Sequence, residues 1–327
     1  MSGRTTILLA ARMPGAFEQR LGQRFEVLGP LAPPFAQTVS TLASEDAARV
    51  RVLITMGSIQ LPGEALERLP SLRLICCIGS GFEGVDLAAA RGRRIVVTHG
   101  PNANASSVAD LALGLLIATV RRIPAAEGFL RRGEWKGNAA RRMPPAPGLT
   151  GRKVGIYGLG AIGARIAARC VSCEMEVGYY NRKRRNDVTY PCFDSLEALA
   201  TWADVLVIAV RAGADTVHAV DARILAALGS DGHVVNIARG SVIDEAALVR
   251  ALADGTIAGA GLDVFEHEPS VPDELLALDS VALTPHIGGA TTEAQRIMQD
   301  MVCANIDAFV AGRPVHNPVP GTPASYA

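Results

Sequence analysis

The chain has 327 residues, more than one ordinary domain needs, and 49% of them are hydrophobic, enough to fill two cores. Its 32 basic residues balance 32 acidic ones, so no surplus of charge marks it for nucleic acid or an anionic membrane surface. Six cysteines without a scaffold spacing exclude a disulfide-framed module and fit reduced thiols in a cytoplasmic protein.

In chain order, β-branched runs at Ile7–Ala10, Val52–Thr55, Leu74–Ile78 and Ile95–Thr98 predict strands, with helical segments at Glu64–Arg68 and Leu87–Arg91 between them. The apolar run Ile7–Ala11 is too short for the core of a signal peptide. Cap-forming residues at Asn102–Ser107 open a long helix, Ser106–Arg122, which Pro124 ends. Its apolar stretch Val108–Val120 contains Asp110 and is too short to span a bilayer. From Arg131 to Gly151 the composition turns to Pro, Gly and Arg and predicts an irregular arm.

A second alternating series follows. Its strands are expected at Lys153–Tyr157, Glu176–Tyr180, Val205–Ala209, Val234–Ile237, Gly259–Asp263 and Val281–Thr284, the number expected of a doubly wound dinucleotide fold. A last helix begins after Thr291, and Pro314–Pro323 is expected to be a ragged end. That last helix is expected to return to the first domain. The division is then residues 1–101 with 287–327, and residues 102–286. Cys170-x-x-Cys173 lies near the end of a predicted helix with no second pair of ligands, so structural thiols and no metal are expected.

The most telling local pattern is Gly158-Leu159-Gly160-Ala161-Ile162-Gly163, placed directly after one apolar strand and opening a helix. The first glycine permits a tight turn, the second lets a pyrophosphate approach the backbone, and the third lets helix and strand pack closely. The next strand ends in Asn181-Arg182-Lys183, where an NAD enzyme normally carries an acidic residue for the ribose hydroxyls. Asn181 does not repel a 2′-phosphate and Arg182 offers it a fork of donors, so NADP is the expected cofactor, with NAD possible.

Three further segments follow strands of that domain: Asn236-Ile237-Ala238-Arg239-Gly240-Ser241, the run from Gly261 through Asp263 to Glu268-Pro269, and Thr284-Pro285-His286-Ile287-Gly288. Ligands of open parallel sheets bind beyond the carboxyl ends of the strands, so the three are expected to converge.

With these motifs in order, from about Val52 to Pro314, the chain resembles the D-isomer-specific 2-hydroxyacid dehydrogenases. The N-terminal GSGFEGVDL and HGPNANASSVADLALGLL segments fit as well, and the basic residues after Asn181 resemble the NADPH-dependent glyoxylate and hydroxypyruvate reductases. The resemblance implies two doubly wound parallel-sheet α/β domains, a Rossmann cofactor domain and a flavodoxin-like substrate domain; two chain crossings, expected near Asn102 and near His286–Ile287, suggest hinge closure. It also implies roles. Arg239 would bind the carboxylate of a 2-keto acid and polarise its carbonyl; His286 would protonate the developing alkoxide; Glu268 would pair with His286 and favour its charged form. Asp263 and Ala238 would lie near the cofactor. Gly79, Ser80 and Gly81 would hold the substrate carboxylate through backbone N–H groups, with Met56, Phe82 and Trp135 as candidates to line the pocket. The arm with Arg142 and Met143 would serve a homodimer, with the apolar helix Ser106–Val120 as its anchor. The other histidines, His99, His218, His233, His267 and His316, have no comparable context and are expected to be structural or exposed.

Two relatives of the same framework are weighed against this. Formate dehydrogenases carry Gln where Glu268 stands, and the C-terminal-binding corepressors carry a long disordered tail that this sequence does not show after Pro320. Bulkier acids, such as 2-ketogluconate or an aryl pyruvate, remain open as substrates.

Overall fold

The computed structural model describes residues 4–136 and 143–325; Arg142 of the expected arm lies outside them. The chain divides into two compact units, Met1–Asn104 with Thr292–Ala327, and Ala105–Thr291. Each is an α/β unit built on one parallel sheet.

In the first unit the strands are β1 (Thr6–Leu9), β2 (Glu26–Leu28), β3 (Val50–Met56), β4 (Leu74–Ile78) and β5 (Val96–Thr98), in the order β2-β1-β3-β4-β5. All neighbours run parallel, which is why the strands are apolar on both faces and show little alternation in sequence. Leu8, Leu53, Ile75 and Val97 fill one face with Leu61, Leu66 and Leu69. Ile7, Val52, Leu74 and Val96 fill the other, against Phe17 and Leu21 of the helix Gly15–Gly22 and Val302, Ile306 and Phe309 of the helix Thr292–Val310. The stretch expected to be a ragged end is partly ordered. Pro318 bridges Thr98 antiparallel, Val319 donates to Val97 O at 2.8 Å, and the Val319 side chain is buried.

The second unit carries β6 (Lys153–Tyr157), β7 (Glu176–Tyr180), β8 (Val205–Ile208), β9 (His233–Asn236), β10 (Gly259–Leu262) and β11 (Val281–Leu283). Their order is β11-β10-β9-β8-β6-β7, again all parallel. The expected six strands are present, but they are not the six of a simple dinucleotide fold. The strand that should flank β7 is reduced to one parallel bridge, Tyr179 to Cys192, and β11 extends the opposite edge. The direction of winding reverses between β6 and β8, which places a crevice at the carboxyl end of β6, where the glycine loop begins.

The helix Ala105–Val120 is consumed by its own core. Val108, Ala112, Leu115, Leu116 and Val120 pack with Val154, Ile156, Val205 and Val235 of the sheet. Leu111, Leu113, Ile117 and Ala118 of the same helix are half-buried. Arg122 takes a left-handed conformation (φ +54°), and Pro124 then starts a second helix, Ile123–Arg131, that periodicity alone did not reveal. Its Ile123 and Leu130 are exposed, as is the following Trp135.

At the amino end of β9, His233 is 3% exposed and its Nδ1 has no hydrogen-bond partner among the described residues. Burial, reinforced by the nearby Arg152 cation, pushes the imidazole down to about 4. In the unfolded chain a histidine binds its proton at about 6.5, so between these values the unfolded state holds the extra proton. Stability contributed by neutral His233 is therefore complete above pH 6.5 and is lost as the pH falls toward 4. Denaturant unfolding should show a loss of about 2 kcal/mol between pH 7 and pH 5 from this group. A His233→Asn variant should lack that part of the pH slope; an identical slope in both proteins would contradict the assignment.

Candidate active site

The cofactor loop follows from where backbone must pass close to backbone. Gly158 leaves β6 at φ +100°, and a Cβ there would lie 2.5 Å from the Val210 nitrogen. At Gly163 a Cβ would lie 2.2 Å from the Gly158 carbonyl oxygen, so the helix Ala161–Ser172 can sit this close to the strand only without a side chain. Gly160 differs from both: it is exposed, and a Cβ there would meet nothing within 4 Å. Open space thus lies in front of a helix start whose cap residue, Gly160, makes no side-chain hydrogen bond to the first turn. Ala161 and Ile162 begin that turn half-buried. Free N–H groups, a positive helix end and room for a ligand fit the pyrophosphate of a dinucleotide.

Asn181 has a duty the motif did not announce. Its Oδ1 accepts from the Leu159 N–H at 2.7 Å and so fastens the glycine loop to the end of β7. Of the basic residues that follow, Arg182 faces Asp215 at 2.6 Å, while Arg185 pairs with Asp187 and donates to Leu159 O at 3.1 Å. Lys183 and Arg184 are exposed. The Arg182–Asp215 pair is largely solvated, and such pairs are worth about 0–1 kcal/mol, so an incoming dianion can take over Arg182 at little cost.

The chemistry-bearing groups leave three neighbouring strands. Because β9, β10 and β11 pair in register, with Leu262 opposite both Asn236 and Leu283, the segments that follow them emerge side by side. After β9, the buried Asn236 closes a turn: its Oδ1 accepts from the Ala238 N–H and its Nδ2 donates to Arg239 O, both at 3.0 Å. Half-buried Arg239 is thereby held at the site, and its Nη1 donates to Ala238 O at 2.7 Å.

After β10, Asp263 is 2% exposed and spends both carboxylate oxygens on the neighbouring loop. Oδ1 accepts from the Thr284 hydroxyl at 2.6 Å and the Ile287 N–H at 2.8 Å; Oδ2 accepts from the Gly288 N–H at 2.9 Å. The Asp263 carbonyl accepts from the His286 N–H at 2.9 Å. These bonds hold His286 in a left-handed conformation, φ +53°, which a histidine adopts only when its surroundings impose it. Its Nδ1 then lies 2.7 Å from Glu268 Oε2, while Glu268 Oε1 accepts from the Phe265 N–H at 3.1 Å. With Nδ1 bound to the carboxylate, Nε2 is the ring atom available for proton exchange with a substrate. A cation, an oriented imidazole and a backing carboxylate can bind a small carboxylic acid and move one proton at the neighbouring oxygen.

In the first unit, the turn after β4 begins with Gly79 at φ +91°, whose carbonyl accepts from the Gly100 N–H at 2.6 Å. His99 Nδ1 lies 3.0 Å from Ser80 O, and Phe82 meets the His99 ring edge-on at 5.1 Å. The Gly81 carbonyl presses on Gly57, where a Cβ would come within 2.0 Å of it. Met56, at the end of β3, is 43% exposed, and Trp135 of the second unit is 60% exposed.

Of the cysteine pair, Cys170 is buried and its thiol is pushed up to about 12 by burial, which keeps it protonated and inert. A pairing that sequence reading missed is His218 Nε2 with Glu266 Oε1, at 2.6 Å.

The Asp263 clasp generates a test. Asp263→Asn keeps the size of the side chain but turns an acceptor into a donor facing an N–H or O–H group. His286 should shift, and turnover should fall on the order of 10²-fold with cofactor affinity much less affected. Steady-state kinetics with cofactor titration checks this; unaltered turnover would contradict the clasp.

Residues 113–288 match the family model described as D-isomer specific 2-hydroxyacid dehydrogenase, NAD binding domain. The chain is 38% identical over 284 residues to the glyoxylate/hydroxypyruvate reductase HPR3 of Arabidopsis thaliana, covering 87% of each protein. It is 40% identical over 273 residues to a 2-ketogluconate reductase of Gluconobacter oxydans, covering 84% of this chain and 87% of that protein. Among solved structures, the NADPH-dependent glyoxylate/hydroxypyruvate reductase SmGhrB of Sinorhizobium meliloti, in complex with NADP and malonate, superimposes with a TM-score of 0.90. It is 37% identical, with 99% of each chain covered. The chain belongs to the D-isomer-specific 2-hydroxyacid dehydrogenase family.

Proposed function

We propose that the protein reduces small 2-keto acids of the glyoxylate and hydroxypyruvate class to D-2-hydroxy acids with NADPH. The observation that carries this reading is the 2.7 Å pair between His286 Nδ1 and Glu268 Oε2, beside the Arg239 segment. Arg239 binds the substrate carboxylate and polarises the carbonyl with its charged donors. The dinucleotide, when bound, supplies the hydride. His286 gives its Nε2 proton to the carbonyl oxygen as negative charge develops there, and Glu268 holds the ring in place. The second unit, which holds the glycine loop, is assigned as the cofactor domain, and the first as the substrate domain. Asp263, with three of its roughly four acceptor positions spent on the 284–288 loop, keeps one for the cofactor.

NADPH is favoured by an uncharged Asn181 where an acid would repel a 2′-phosphate, and by the exposed cations Arg182 and Lys183. The complex of SmGhrB with NADP supports the same choice. A second reading, a bulkier substrate such as 2-ketogluconate, is favoured by the Gluconobacter relative. We assign the protein to the cytoplasm; no helix of the described residues is long and apolar enough to cross a membrane. A homodimer would use the exposed Ile123, Leu130 and Trp135.

The decisive experiment is a substrate panel of glyoxylate, hydroxypyruvate, pyruvate, phenylpyruvate and 2-ketogluconate with each cofactor. The two smallest functionalised acids and NADPH should give the highest kcat/KM, and a preference for 2-ketogluconate or NADH would overturn the assignment. In the same assay His286→Ala should lower kcat by about 10²- to 10⁴-fold while NADPH still binds. Sedimentation should give twice the monomer mass.

A further inference from the structure

We propose that His218, acting through Glu266, is a positioning residue that ties the segment carrying Arg239 to the loop carrying Glu268. The inference rests on the catalytic reading of those two residues, but its geometry stands apart from it. His218 lies on the long connection after β8, at φ +50°, and makes two attachments in different directions. Its backbone N–H donates to Ser241 O at 2.8 Å, two residues beyond Arg239. From there the two chains run together: Val220 N–H to Val242 O at 3.0 Å, then Asp244 N–H to Val220 O at 3.1 Å. Its side chain reaches the other segment, where Nε2 meets Glu266 Oε1 at 2.6 Å.

Glu266 stands two residues before Glu268. Its N–H donates to Glu245 Oε2 at 3.1 Å, and the preceding Phe265 N–H donates to Glu268 Oε1 at the same distance. Backbone contact brings the two segments together, because a Cβ on Gly240 would lie 1.9 Å from the Phe265 carbonyl carbon. That contact and the Glu266 N–H bond to Glu245 hold the loop's backbone but not the Glu266 side chain. The His218–Glu266 bond pins it at one point, and by fixing Glu266 it fixes the reach of Glu268 toward His286.

The charged groups around His218 favour its protonated form. The bond to Glu266 is the largest influence and raises the imidazole above its ordinary value; burial opposes it, and Glu266 and Asp244 add to it through space. Glu245 faces Glu266 from the helix Glu245–Ala253 and adds a third carboxylate to the neighbourhood. In the protonated form the tie is a charge-assisted bond. It is present below the raised value and is lost as the pH rises through it.

The test compares wild type with His218→Gln across pH, with Glu266→Gln as a second variant and thermal melting as a check on folding. Below pH 7, kcat for 2-keto acid reduction should fall about 10-fold in either variant, with KM for NADPH unchanged. The ratio of wild type to variant should approach one as the pH rises through the titration of His218, beyond which the imidazole is neutral in the wild type as well. A ratio of one throughout, or a constant ratio at every pH, overturns the proposal, the latter because a merely structural loss does not titrate. Amide hydrogen exchange of residues 264–268 reads the same tie without any substrate. Protection should drop in His218→Gln on the acid side of that titration and match the wild type on its alkaline side. Unchanged protection overturns the proposal, whereas absent turnover in wild type with normal exchange behaviour would indict the assigned reaction alone.

Discussion

The buried carboxylate of Asp263 is the interaction on which the site depends. A charge placed at 2% exposure is tolerated only when donors surround it, and here an O–H and two N–H groups of one loop do so. Those same bonds impose the backbone conformation at His286, which turns its ring toward Glu268. The cost of burying one acid is therefore converted into the orientation of another residue. The clasp works because β10 and β11 are adjacent and parallel, so that Asp263 and Thr284 emerge from the same edge of the sheet.

Much of this was legible before any coordinates. Parallel strands buried on both faces appear as short apolar runs, and those at Leu74–Ile78 and Lys153–Tyr157 needed no adjustment. The glycine loop was legible because Gly158 and Gly163 each answer to a close backbone approach and Gly160 leaves open space before the helix start. The losses also have physical reasons. The strand Glu26–Leu28 has three residues and no face wholly buried, so it carries no periodic signal. The helix Ile123–Arg131 was hidden because Pro124 reads equally as the end of one helix and the first turn of the next. The end after Pro314 looked unstructured because its order comes from a bridge to Thr98, scattered hydrogen bonds and two buried valines, Val315 and Val319, not from a periodic pattern of its own.

Side-chain partnerships were the least legible level. Arg239, Glu268 and His286 each follow a strand, and so could be placed by topology alone. His218 and Glu266 are 48 residues apart on two irregular connections, and nothing in either neighbourhood points to the other. Asn236 was visible inside its motif, yet its task of closing the turn before Arg239 appears only when both ends of its amide are seen bonded. The same holds for Asp215, whose pairing with Arg182 shows that a basic run can be partly occupied by its own protein. A chain of zero net charge can still hold an anionic substrate and an anionic cofactor, because local arrangement and not the total sets the field at the site.

The central claim is that Glu268 and His286 act as one unit in moving a proton. A double-mutant cycle with Glu268→Gln, His286→Gln and the pair, read as kcat for 2-keto acid reduction, tests it most directly. Acting together, each single substitution should remove most of the rate, and the double variant should be little worse than His286→Gln alone. Losses that simply multiply in the double variant would contradict the account and leave Glu268 and His286 as independent residues that happen to lie 2.7 Å apart.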